Sequence, residues 1–268
     1  MMDGVHIGND RKYHKINGDQ KNEFKNLKET TSAKMKPFFA LSCALFFADI
    51  TLLLGNLWLE PDNVYGRYPD LYHVVKIGIL PLLTILWLQL TIRREKKILL
   101  FFIFQWIGDI ILLKPGTTYV VLGGIFFGIG HILMIQYLNI EWRKLKIASI
   151  LLFLPPSVGM LTLVYTNMDF SHIHQYGALM YCVTLQVANF AASSRLSRFG
   201  FTNPAFLFSW IGYILFICSD YFLISKEFGL SNKLRRVEIM STYIFAQIFL
   251  MFGSIFTEKC KQKFNKHK

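Results

Sequence analysis

Charge is what this chain has least of. Only 17% of its 268 residues are charged, against 53% hydrophobic, and the mean hydropathy is +0.37. A soluble domain carries roughly 25% charged residues, so that class is excluded. Cysteine is also scarce. Cys43, Cys182, Cys218 and Cys260 lie in or at the ends of apolar runs with no CxxC spacing, which excludes a disulfide framework and a zinc site and leaves small buried hydrophobes. The apolar residues do not alternate with polar ones. The first 36 residues contain no apolar core of the kind a cleavable signal peptide needs, so none is expected. What is present is a series of long apolar blocks, the pattern of an all-α polytopic membrane protein folded as one bundle.

Eight such blocks follow one another, at about 37–59, 71–91, 98–113, 118–138, 147–165, 175–192, 205–223 and 238–257. Each approaches the ~20 residues that cross a hydrocarbon layer, which predicts eight transmembrane helices. Residues 1–36 are polar and basic and read as a disordered cytoplasmic tail, residues 37–257 as the transmembrane domain, and 258–268 as a second basic cytoplasmic tail. The net charge of +12 would suggest nucleic acid in a soluble protein; here it is distributed by topology. Lys and Arg number eight in the N-terminal tail, four, three and two in alternate loops and five in the C-terminal tail, 22 on one side against six on the other. The bias places both termini in the cytoplasm.

A few ionisable residues interrupt the apolar blocks: Asp49, Lys76, Asp109, His131 and Asp220. A carboxylate at a helix centre costs about 2.5–3.5 kcal/mol on insertion scales, so each should face the bundle interior. Asp109 in FQWIGDIILL and Asp220 in FICSDYFLIS each follow a small residue, Gly108 and Ser219, and read as a facing pair. Asp109, Asp220, Lys76 and Tyr243 all fall about 7–8 Å inside the same, non-cytoplasmic, boundary. His131 lies deeper, Gln247 is one helical turn from Tyr243, and Tyr176 and Gly177 open the sixth block. The polar groups thus concentrate toward one end, the other half offering little beyond His131, Gln186 and Asn189. Together they would line a polar pocket walled by Phe, Leu and Ile, a shape suited to an amphipathic lipid. Plainer readings stand beside this one. Lys76 and Asp109 would make a register-fixing ion pair, and His131, Tyr243 and Gln247 ordinary interhelical hydrogen bonds. Gly124-x-x-x-Gly128 reads as a close helix-packing face, since no strand precedes it as in a phosphate loop. Asp49 reads as structural.

The succession Lys76 with Pro81, Gly108-Asp109, Gly130-His131, Tyr176-Gly177, Ser219-Asp220 and Tyr243-x-x-x-Gln247 resembles the YhhN-like lysoplasmalogenases, eight-span membrane proteins, over about residues 37–256. Each motif is short; their order across the spans carries the resemblance, and Asp49 lies outside it. The resemblance implies hydrolysis of the vinyl ether bond of lysoplasmalogens to a fatty aldehyde and glycerophosphoethanolamine or glycerophosphocholine. Asp109 and Asp220 would be catalytic, with Lys76, His131, Tyr176, Tyr243 and Gln247 supporting. Vinyl ether cleavage needs a proton delivered to carbon and a carboxylate to stabilise the cation or activate water, a division of labour also used by glycosidases. Which aspartate does which is open. No cofactor and no metal is required, although Asp, Asp and His converging could bind one. The expected partners are a lysophospholipid and membrane lipids, not nucleic acid, and the resemblance favours the endoplasmic reticulum. The oligomeric state is open. The rival reading is a proton-coupled transporter or channel, which uses intramembrane Asp, His and Lys in the same way.

Overall fold

Apolar blocks punctuated by Pro, Gly and polar loops become helices, and the computed structural model shows helices alone among its described residues, 18–60, 66–91, 94–140, 142, 145–167, 173–227 and 236–265. In order they are α1 (Gly18–Leu59), α2 (Pro69–Leu90), α3 (Lys96–Ile111), α4 (Thr117–Leu138), α5 (Ile147–Asn167), α6 (Ile173–Ser194), the short α7 (Leu196–Phe199), α8 (Pro204–Glu227) and α9 (Arg236–Asn265). The starts follow local chemistry. α2 and α8 each open on proline, whose missing N–H costs nothing in the first turn. Asn203 caps α8 by accepting from the Ala205 N–H at 2.9 Å. Asn56 near the end of α1 accepts from the Tyr68 N–H at 2.7 Å and donates to the Tyr68 carbonyl at 3.1 Å, which ties α1 to the start of α2. Gly66 permits this closure: its φ is +71°, and a Cβ there would lie 2.6 Å from the Asn56 carbonyl oxygen.

Among the described residues, six helices are long and apolar enough to cross a membrane: 36–59 within α1, α2, α4, 147–166 within α5, 204–226 within α8 and 236–261 within α9. α3, of 16 residues, is short for a span, and α6 carries buried Gln186, Asn189, Ser193 and Ser194. The helix limits otherwise fall within a few residues of the expected blocks, apart from the two ends. α1 begins at Gly18, inside the segment expected to be a tail, where Lys, Glu, Gln and Ala favour helix; residues 1–17 lie outside the described residues. By internal contacts the chain divides into residues 1–41 and 42–268, and all that follows concerns the second unit. α9 also runs past the expected limit of 257 to Asn265, which buries Glu258 in place of a free tail.

Lipid tails are as apolar as Leu, so helices in a bilayer associate through close packing of small residues. The tightest pairs here, α3 with α4 and α8 with α9, obey that rule. A Cβ on Gly108 would meet the Phe127 ring at 2.5 Å, one on Gly212 the Leu250 side chain at 2.9 Å, and one on Gly253 the Ser209 backbone at 2.8 Å. Ala205 and Ala246 of α8 and α9, and Ala188, Ala191 and Ala192 of α6, are fully buried, as are the large side chains of Trp87, Phe101, Phe206, Tyr213 and Phe216. Ile125, Ile132, Leu151, Val158 and Met180 point outward. Asp49 is accounted for by packing: its carboxylate sits over Gly78, where a Cβ would be 2.6 Å from Oδ2.

Candidate functional site

Asp109 and Asp220 are each held by a tyrosine from another helix. On α3, Asp109 accepts from the Tyr243 hydroxyl of α9 at 2.7 Å through Oδ2, while Lys76 of α2 stands 3.9 Å from Oδ1. Lys76, Asp109 and Tyr243 are all buried. One turn before Asp109 on the same face, Gln105 donates to the Phe127 carbonyl of α4 at 3.3 Å and accepts from Gln247 of α9 at 3.3 Å. Gly130 makes room for this amide, since a methyl group there would fall 2.8 Å from Gln105 Nε2. On α8, Asp220 accepts from the Tyr181 hydroxyl of α6. The preceding Ser219 donates to the Ile239 carbonyl at 3.1 Å, fixing α8 against α9 at this level. Gly124 and Gly128 both face the Tyr181 ring across the α4–α6 contact, so the expected packing face serves to seat the tyrosine that holds Asp220.

The two carboxylates are linked through the aromatic rings that hold them. They are not in direct contact along a shared hydrogen bond. The Phe127 ring lies between the two tyrosine rings, its centroid 6.3 Å from that of Tyr181 and 6.3 Å from that of Tyr243. His131 is fully buried in an aromatic enclosure of Phe101, Tyr181, Tyr213 and Phe216, with ring centroids at 6.0, 6.0, 5.7 and 4.7 Å. Its Nδ1 is 3.4 Å from the Tyr213 hydroxyl; its Nε2 has no hydrogen-bond partner among the described residues. If Tyr213 donates to Nδ1, the imidazole carries its proton on Nε2.

A narrow cleft leads to this arrangement. It is lined by Leu112, Val120, Val121, Gly124, Phe127, Gly177, Ala178, Leu223 and Ile224, and its polar groups are Asp220 and Tyr181. The lining comes from the end of α3, the first half of α4, the first half of α6 and the last half of α8. The cleft therefore runs from one end of the bundle inward to Asp220, and Asp109 lies one aromatic ring behind it, since Phe127 lines the cleft and abuts Gly108. A ligand in this space meets an apolar wall and one carboxyl.

Among the residues the sequence pointed to, Lys76, Asp109, Tyr243 and Gln247 come together directly, and His131 and Asp220 join them through the rings of Tyr181 and Phe216. Tyr176 does not. It is 53% exposed at the start of α6, while its neighbour Gly177 lines the cleft; successive helical residues point about 100° apart, so one faces in and the other out. Gln105, Tyr181 and Tyr213 were not singled out in the sequence. Gln105 had a signal, an amide at i−4 from Asp109 in an apolar run; Tyr181 and Tyr213 had none. The expected concentration of polar groups at one end is also incomplete. At the opposite end Arg195, buried behind the joint between α6 and α7, donates to Thr257 of α9. Nearby the Tyr137 hydroxyl reaches Glu258 at 3.1 Å. Among the described residues no cluster of His, Cys, Asp and Glu has metal-binding geometry.

The site residues all fall inside the stretch for which a family relationship is found. The model of the YhhN family matches residues 71–254, more than two thirds of the chain. No curated protein matches the chain, and no solved structure does. α1 and Asp49 precede the matched stretch; Lys76, Asp109, His131, Tyr181, Asp220, Tyr243 and Gln247 lie within it. The chain belongs to the YhhN family.

Proposed function

We propose that the protein is a membrane-embedded lysoplasmalogenase, and that Asp220 is the acid and Asp109 the ionised partner. The observation that carries this reading is Asp220 at the inner end of an apolar cleft, with the lysine-paired carboxylate of Asp109 behind it. Two negative carboxylates at short range in a low-dielectric interior repel, so such a pair holds one proton between them. Lys76 and the Tyr243 hydroxyl compensate a charge on Asp109. Asp220 has a tyrosine hydroxyl on Oδ2 and no cation within ion-pair distance among the described residues, so the proton resides there.

The reaction follows from that division. The alkenyl chain of a lysophospholipid occupies the cleft, with its vinyl ether at Asp220. The Asp220 carboxyl protonates the vinyl carbon remote from oxygen, and the carbon attached to oxygen becomes an oxocarbenium ion. The fixed negative charge of Asp109 stabilises that cation across a short, water-poor distance, the type of electrostatic preorganisation that lowers such barriers most. Water adds to the cationic carbon and its proton returns to the Asp220 carboxylate. The hemiacetal then breaks its carbon–oxygen bond, giving a fatty aldehyde and the free hydroxyl of the glycerophospho head group. No cofactor or metal takes part. His131, held by Tyr213 and packed among the site's rings, positions Tyr181 and through it Asp220. Eight helices cross the membrane in this reading, α3 and α6 among them, with both termini on the cytoplasmic side as the charge bias indicates; the endoplasmic reticulum is the proposed location.

The test is aldehyde release from a lysoplasmenyl lipid by the purified protein. Asp220→Asn should abolish it and Asp109→Asn should reduce it to near background, each with folding retained. Full activity in Asp220→Asn would remove the acid from the mechanism. Proton-coupled transport is the second reading, favoured by the buried polar residues at the opposite end of the bundle; it predicts proton flux in proteoliposomes and no aldehyde.

A further inference from the structure

Hydrolysis consumes water, and the cleft that reaches Asp220 is walled by apolar side chains and filled, in the reading above, by a lipid chain. Water needs another way in. We infer that the face of α6 formed by Cys182, Gln186, Asn189 and Ser193 conducts water to Asp220 from the end of the bundle opposite the cleft. This inference rests on the hydrolase reading.

The four positions follow one another at i, i+4, i+7 and i+11, a single stripe along the helix. The stripe spans about 16 Å of helix axis. All four residues are buried. Both side-chain atoms of the Gln186 amide, Asn189 Oδ1 and Ser193 Oγ have no hydrogen-bond partner among the described residues, and Asn189 Nδ2 is engaged only by Ser157 of α5 at 3.3 Å. A buried polar atom left unmade costs about 1–3 kcal/mol, and four on one stripe of one helix are too many to be carried without a ligand. The stripe has no formal charge and offers both amide donors and acceptors at spacings of one helical turn. That chemistry suits water, which satisfies buried groups with about three hydrogen bonds each, and suits neither an ion nor an apolar chain. The inner end reaches the site, because Cys182 directly follows Tyr181, whose hydroxyl donates to Asp220. Four residues past Ser193, Ser197 of α7 pairs with Ser149 of α5 at 3.2 Å and accepts from the backbone N–H of Lys146 in the α4–α5 connection at 3.0 Å. The lipid chain and the water thus approach Asp220 from opposite ends, which keeps bulk solvent away from the cleft.

Hydroxyl-radical footprinting of the full chain in lipid nanodiscs tests this directly, because radicals made from water mark side chains that touch water. Met134 and Met251 are sulfur controls as buried as Cys182 but off the stripe. Cys182 should be oxidised severalfold faster than either. Asn189→Leu should suppress that oxidation and lower the kcat of aldehyde release severalfold with KM unchanged, and Asn189→Gln should rescue both. Should Asn189→Leu fail to fold, Ser193→Ala should produce the same two effects in smaller measure. Oxidation of Cys182 no faster than that of Met134 overturns the inference, as does a stripe variant that leaves both Cys182 oxidation and kcat unchanged. Rapid Cys182 oxidation in a wild-type protein that releases no aldehyde supports the water path and refutes the hydrolase reading instead.

Discussion

Removing Lys76 should harm the protein more than removing Lys76 and the charge of Asp109 together. The two side chains are 5% exposed and 3.9 Å apart. At that distance the gross attraction is about 4 kcal/mol for an effective dielectric near 20. Lys76→Met deletes the cation and leaves a buried carboxylate with the Tyr243 hydroxyl alone, and breaking a buried pair from one side typically costs about 3–5 kcal/mol. Proton uptake by Asp109 limits the loss, at about 1.4 kcal/mol for each unit separating its new pKa from the working pH. In Lys76→Met/Asp109→Asn no charge remains, and the amide can still accept from Tyr243. The double variant should therefore recover most of the lost stability while remaining inactive. Thermal unfolding in one detergent, with all four members of the cycle measured together, gives the coupling. A Lys76→Met protein as stable as wild type, or a double variant no more stable than Lys76→Met, would refute the assignment of Asp109 as the charged member.

Three further outcomes follow from the same geometry. Tyr181→Phe removes the described donor to Asp220 and should lower kcat by an order of magnitude or more while costing only about 1–2 kcal/mol of stability; unchanged kcat in steady-state aldehyde assays contradicts the role of Tyr181. Gly130→Ala introduces a methyl group 2.8 Å from Gln105 Nε2 and should destabilise the α3–α4 pair by about 1–3 kcal/mol, with lost activity, measured as a drop in unfolding temperature. Thr257→Val leaves buried Arg195 without its described acceptor and should cost about 1–3 kcal/mol with kcat preserved, because that contact lies at the end remote from Asp220.

The helices were legible because the apolar blocks are long and their flanks carry Pro, Gly and basic residues; limits such as Thr117–Leu138 for an expected 118–138 show how directly hydropathy becomes length. The charged members of the site were legible for a different reason. A carboxylate or lysine within a span is so costly that its presence implies a partner, which is how Lys76 could be set at the level of Asp109 before any contact was seen. Tyrosine incurs no comparable cost, so Tyr181 and Tyr213 were indistinguishable from the other aromatic residues of the spans. Arg195 and Glu258 were hidden by their place in the chain. Both lie at the edge of an apolar block, where a charged residue is expected in water, and only the continuation of α6 into α7 and of α9 to Asn265 buries them. Tyr176 is the converse case. Its motif partner Gly177 is the one that reaches the cleft, and nothing in two adjacent letters says which faces inward.

In the proposed mechanism Asp220, at the end of an apolar cleft, donates a proton to a vinyl ether. The most direct measurement is turnover of lysoplasmenylethanolamine by purified protein in heavy water, with aldehyde analysed by mass spectrometry and Asp220→Asn as the control. One deuterium on the carbon next to the aldehyde carbonyl, a slowed reaction in heavy water and no aldehyde from the variant are expected. Aldehyde without that deuterium, or aldehyde from Asp220→Asn at the wild-type rate, would contradict it.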